Sequence, residues 1–90
     1  KAAEQDSIGA QFKLGAMYYD GDGVAQDYMK AVRWYLKAAK QGNSYAQNNI
    51  GVMYHLGQGV NKNHQRAIHW FSKAAEQGHE SAQSNLEALR

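Results

Sequence analysis

The nine residues Trp34-Tyr35-Leu36-Lys37-Ala38-Ala39-Lys40-Gln41-Gly42 return 36 positions later as Trp70-Phe71-Ser72-Lys73-Ala74-Ala75-Glu76-Gln77-Gly78. The end of the same phrase opens the chain as Lys1-Ala2-Ala3-Glu4-Gln5. A fixed period between roughly 20 and 50 residues marks an array in which each unit buries its apolar side against the next. When residues 10–45 are aligned on 46–81, fifteen of the 36 pairs are identical, among them Gly15/Gly51, Met17/Met53, Tyr18/Tyr54, Ala31/Ala67 and Trp34/Trp70. Five further pairs keep their character: Leu14/Ile50, Ala16/Val52, Lys30/Arg66, Val32/Ile68 and Tyr35/Phe71.

Each unit reads as two helices. Helix A spans about 8–19 and again about 44–55, with Leu14, Met17 and Tyr18 at i, i+3 and i+4 on one face. Gly15 and Gly51 lie inside it, where glycine costs about 1 kcal/mol relative to alanine. A cost accepted twice at one position implies that another backbone passes close by. The turns Asp20-Gly21-Asp22-Gly23-Val24 and Leu56-Gly57-Gln58-Gly59-Val60 end helix A, and the valine plugs the loop into the core. Helix B begins at the cap residues Asp27 and Asn63 and runs to Gln41 and Gln77. Ala31, Tyr35 and Ala38 share one face, as do Ala67, Phe71 and Ala74; the small residues let helix A approach while the ring fills the gap. Trp34 and Trp70 sit beside that stripe, placed to reach an adjacent unit.

The fold class expected is all-α: a right-handed solenoid of antiparallel helix pairs forming one array over residues 1–90. Residues 1–9 end a preceding unit, 10–45 and 46–81 are two full units, and 82–90 begin a third. The chain starts inside a unit and without methionine, as a piece of a longer array would.

Ala46-Gln47-x-x-Ile50-Gly51-x-x-Tyr54, then Gly57-x-Gly59-Val60, then Ala67-x-x-Trp70-Phe71-x-Lys73-Ala74-Ala75-x-Gln77-Gly78, resembles the Sel1-like repeat, a relative of the tetratricopeptide repeat. The ordinary tetratricopeptide repeat has a period of about 34 residues and usually ends in proline; here the period is 36, proline is absent, and the extra length sits at the Gly-x-Gly loop. Two positions depart from the pattern: Asp6 replaces the glycine of Gly42 and Gly78, and Glu87 replaces that of Gly15 and Gly51. The first is expected to distort the turn into helix A, and the second implies that the last helix has no close neighbour on that side. The resemblance implies an adaptor role, often in bacterial secretion, envelope or host-interaction systems or in assembly of membrane-associated complexes. It leaves the compartment open.

Little in the chain points to chemistry. Ten Lys plus Arg against eight Asp plus Glu leave a net charge of +2, too weak by itself to argue for nucleic acid or membrane. Cysteine is absent, which excludes disulfides and thiolate metal sites. Asp20-x-Asp22 starts like a calcium loop, but Ala31 stands where the twelfth-position glutamate belongs. Gly21-x-Gly23 lacks the third glycine and preceding strand of a dinucleotide site. His55, His64, His69 and His79 form no His-x-x-x-His pair. No Ser-x-x-Lys is present to supply a serine nucleophile with a lysine partner. No enzymatic activity, cofactor or metal is expected.

Two surfaces remain. Lys30, Arg33, Lys37 and Lys40 recur along helix B, continued by Arg66, His69 and Lys73, as a solvated outward stripe broken by Glu76. The exposed face of helix A is where units differ, and a position free to vary is idle or assigned to a partner. By analogy with tetratricopeptide arrays this face is the concave wall. It carries Phe12, Ala16, Tyr19, Tyr45, Asn48, Val52, His55 and Ser84, with Ser81 and Ala88 beyond. Aromatics with amides and an imidazole can hold a peptide by stacking and backbone hydrogen bonds. The expected partner is therefore a protein, as a peptide or helix in that groove, with neither nucleic acid nor membrane insertion. The other readings are a spacer in a longer array and a regulatory module of an enzyme complex. Head-to-tail self-association through the ends of the array is a further expectation.

Overall fold

The computed structural model describes residues 7–90. The expectations for Lys1–Gln5 and Asp6 lie outside them. Five helices follow in order: α1 (Ile8–Asp20), α2 (Tyr28–Lys40), α3 (Ser44–Leu56), α4 (His64–Glu76) and α5 (Glu80–Leu89), with no strand among the described residues. The strongest contacts join each helix to the one that follows it in the chain. Short connections make such neighbours antiparallel, and the result is an all-α solenoid of helix pairs measuring 40 × 24 × 17 Å.

The helices start where the sequence supplies an oxygen. Ser7, Asp27, Asn43 and Asn63 each accept from the backbone N–H three residues ahead, at 3.3, 3.1, 2.8 and 2.9 Å. The histidine at the fifth start, His79, makes no such bond. Helices α1 and α3 stop at Gly21 and Gly57, both at φ 72°, where a side chain would be strained. Their N–H groups close onto the Met17 and Met53 carbonyls at 2.8 Å. The loops then return, with the Asp27 and Asn63 N–H groups donating to Tyr18 and Tyr54 at 2.8 and 2.9 Å. The second loop thus repeats the backbone bonding of the first although half its side chains differ.

Neither core belongs to one helix pair. The first gathers Ala31, Tyr35, Ala38 and Ala39 of α2 with Ala46, Ile50 and Met53 of α3, and Trp70 of α4 completes it. The second joins Ala67 and Phe71 of α4 to Leu86 of α5. Each is therefore finished by residues from the next unit, which is what ties the array together.

The helical glycines have a different cause from the one expected. A Cβ at Gly15 would lie 2.5 Å from the Tyr35 ring, and one at Gly51 would lie 2.6 Å from the Phe71 ring. What passes close is the aromatic side chain of helix B, not a backbone. Glycine in α1 and α3 is the socket, and the ring between the two alanines of α2 or α4 is the plug. At the equivalent place in α5 stands Glu87, which is exposed.

Candidate functional site

The side formed by α1, α3 and α5 carries every residue of the expected partner face, and the structure divides them. Phe12 is half-buried, its ring centroid 5.5 Å from that of Tyr35 and 6.2 Å from that of Tyr45. Tyr45 is 63% exposed, and His79 stands edge-on to it at 4.8 Å and 90°. The His79 Nδ1 also lies 3.5 Å from the Ser44 hydroxyl. This makes one cluster of rings at the start of α3 and α5. Ala16 is half-buried against the first core. Asn48 is withdrawn from solvent, and its Oδ1 accepts from the Asn85 amide at 3.0 Å. His55 and Ser84 are exposed, outside that cluster.

A second feature lies between the last turn of α1 and the middle of α3. Tyr19, Asp20, Asn49 and Val52 wall a hollow of about 240 Å³, and Tyr35 from α2 also lines it. Tyr19 is fixed there: its hydroxyl donates to the Gln58 side chain at 2.8 Å, its ring packs on Tyr28 at 5.1 Å, and the Gln58 amide reaches the Tyr28 hydroxyl at 3.4 Å. The turn after α3 thereby anchors the wall supplied by α1. Tyr35 is buried, and this burial pushes its hydroxyl up to about 12; the neighbouring Asn49 amide opposes the shift, and the Asp20 carboxylate and Tyr19 reinforce it. Tyr35 therefore stays a neutral phenol at ordinary pH, able both to donate and to accept.

Tyr19 and Val52 of this hollow were legible from the sequence. Asp20, Tyr35 and Asn49 were not, because Asp20 reads as a turn residue and Tyr35 as a core ring. The available signal was divergence between units: Asp20 pairs with Leu56 and Tyr35 with Phe71. A glutamine relay also crosses the junctions between helix pairs. Gln47 in α3 donates to the Ala39 carbonyl at 3.0 Å and accepts from Gln77 at 3.0 Å, and Gln77 reaches the Gly42 carbonyl at 2.9 Å. Gln41 donates to Gln11 at 2.6 Å, and Gln83 donates to the Ala75 carbonyl at 3.4 Å. The identities Gln11/Gln47 and Gln41/Gln77 are its signal in the sequence.

The cationic stripe of α2 and α4 is exposed, as expected, and it is paired with rings. Lys30 lies over Tyr18 at 5.4 Å, Lys37 over Trp34 at 4.8 Å and Arg66 over Tyr54 at 5.8 Å. Among the described residues no cluster of three or more His, Asp or Glu side chains could hold a metal, and no helix is long and apolar enough to cross a membrane.

Stacked helix pairs whose cores are shared between units, with a divergent helix-A face, define a solenoid repeat of the kind that serves as an interaction scaffold. The Sel1 repeat profile matches residues 8–43 and again 44–79, and the chain belongs to the Sel1 repeat family. That family generally binds protein partners and is typically not enzymatic. No curated protein matches the chain at a significant level. Among solved structures it is similar to a Sel1 repeat protein from Oxalobacter formigenes, 42% identical with a TM-score of 0.92 over 94% of this chain and 35% of that one. It is also similar to a protective antigen of uropathogenic Escherichia coli that displays an SLR fold, 51% identical with a TM-score of 0.88 over 91% of this chain and 18% of that one. Helicobacter pylori cysteine rich protein B is 34% identical, with a TM-score of 0.87 over 96% of this chain and 65% of its own. The chain thus spans about a third of the first of these proteins. It reaches the architecture of a cysteine-rich relative with no cysteine at all.

Proposed function

We propose that this chain is a protein–protein interaction scaffold that binds a peptide or partner helix along the face of α1, α3 and α5, the concave wall in a solenoid of this kind. The observation that supports this most is the hollow of about 240 Å³ between α1 and α3, one wall of which, Tyr19, the neighbouring turn already holds in place. A pre-formed site loses little freedom on binding. The exposed Tyr45 ring with His79 beside it supplies an anchor on the same side. Phe12 and Tyr19 contribute to both the groove and the first core, so truncating them would loosen the fold along with the face.

The clean test uses outer residues. Peptides are selected from a displayed library on the 90-residue chain, and their affinities are measured again for Tyr45→Ala and Asn49→Ala. Affinity is expected to fall at least fivefold in one of the two variants with helix content unchanged. Full affinity in both would place the binding surface elsewhere.

A further inference from the structure

We propose that the hollow between α1 and α3 is a subsite for the cationic side chain of a lysine or arginine on a protein partner. This rests on the reading of the helix-A face as the binding wall and gives it a chemical specificity.

The hollow is smaller than the roughly 300–1,000 Å³ of sites that bury a drug-sized ligand, so it suits one side chain. Its charge comes from Asp20, an exposed carboxylate that pairs with no basic group among the described residues. Asp20 is also the last residue of α1, where the negative end of the helix dipole favours a cation. The Tyr35 hydroxyl and the Asn49 side chain line the same hollow, and the Asn49 carbonyl oxygen is a neutral acceptor for a cationic head. The Tyr19 ring and the Val52 methyls flank the hollow with apolar surface, which fits the aliphatic stem of lysine or arginine below its charged head. Nothing in this lining carries a positive charge, so Asp20 would repel an acidic side chain there.

The second unit lacks this chemistry on the same frame. The positions equivalent to Asp20, Tyr35, Tyr19 and Val52 are Leu56, Phe71, His55 and Ala88. The carboxylate and the phenol are both gone, so among the described residues the subsite occurs once, at the first junction. A partner is read there by charge and further along by the ring of Tyr45 and His79.

The test is a nuclear magnetic resonance titration of the 90-residue chain with three acetylated, amidated tripeptides: Gly-Arg-Gly, Gly-Gln-Gly and Gly-Glu-Gly. The arginine peptide is expected to give saturable shifts at the Asn49 side-chain amide and the Val52 methyls. Asp20→Asn is expected to weaken it about tenfold, in line with loss of a charge-assisted hydrogen bond. Tyr35→Phe is expected to weaken it about threefold. That variant reproduces the ring the chain already places against Gly51, so its fold is secured by the second unit. Equal shifts from the glutamine peptide, or an unchanged affinity in Asp20→Asn, would overturn the cationic subsite and leave the groove standing. If no tripeptide shifts any residue on the helix-A face, the subsite and the groove reading both fall.

Discussion

Trp34 and Trp70 occupy the same place in successive units and have different surroundings. Trp70 is buried in the first core, among side chains of α2 and α3. Trp34 is only half-buried, with the Lys37 ammonium over its ring at 4.8 Å. The loop glycines show the same contrast. A Cβ at Gly59 would lie 2.6 Å from the Tyr28 backbone, whereas one at Gly23 would meet only the tip of Met17 at 3.8 Å. Among the described residues no earlier helix pair exists for Trp34 and Gly23 to pack on. The residue type is thus set by the repeat, but its burial is set by whether a neighbour is present. Stability in this architecture resides at the junctions between pairs as much as within them.

The largest change that probes this contrast is Phe71→Ala. Removing a buried aromatic costs about 3–5 kcal/mol, and it empties the socket opposite Gly51. Gly51→Ala alone is expected to cost about 1–3 kcal/mol by overpacking. In the Phe71→Ala background the same substitution is expected to become neutral or stabilising, because the helix gain of about 1 kcal/mol then acts unopposed. Urea denaturation of the four proteins in that cycle measures the coupling, and simple additivity would show that ring and glycine are not plug and socket.

A smaller effect separates the glutamines. Gln47 is 4% exposed and bonded on both sides, so Gln47→Ala is expected to cost about 1–2 kcal/mol by stranding buried partners. Gln83→Ala, at an exposed position with one bond of 3.4 Å, is expected to cost less than about 0.5 kcal/mol. Equal losses would mean that the relay adds nothing at the inner junction. The smallest effect is confined to alkaline pH. The Tyr35 hydroxyl is raised from 10.0 to about 12 on folding. The folded state therefore holds this proton more tightly, and its contribution is complete below pH 10 and lost as pH climbs toward 12. Comparing wild type with Tyr35→Phe across that window is expected to show a steeper alkaline loss in the wild type. Parallel curves would mean that the phenol is not desolvated.

Most of the fold was legible in the chain because the repeat states each rule twice. The caps at Asp27, Asn43 and Asn63, the stops at Gly21 and Gly57, and the ring between two alanines all follow from local chemistry. What the periodicity could not show was which group approaches Gly15 and Gly51, since a ring and a backbone impose the same demand for a missing Cβ. The candidate site was less legible. Divergence between units pointed to the helix-A face, and it drew attention to Asn48, whose side-chain oxygen accepts from the Asn85 amide. It missed Asn49 beside it, because the side-chain direction depends on where the next helix lies. Asp20 became part of a wall only once the end of α1 was set against α3.

The contrast between the two tryptophans tests directly whether neighbouring pairs hold one another. Trp70→Ala and Trp34→Ala are compared with wild type by urea denaturation followed by circular dichroism. Trp70→Ala is expected to lose about 3–5 kcal/mol, the cost of a buried ring, and Trp34→Ala less than half as much. Equal losses, or a larger loss at Trp34, would contradict the account.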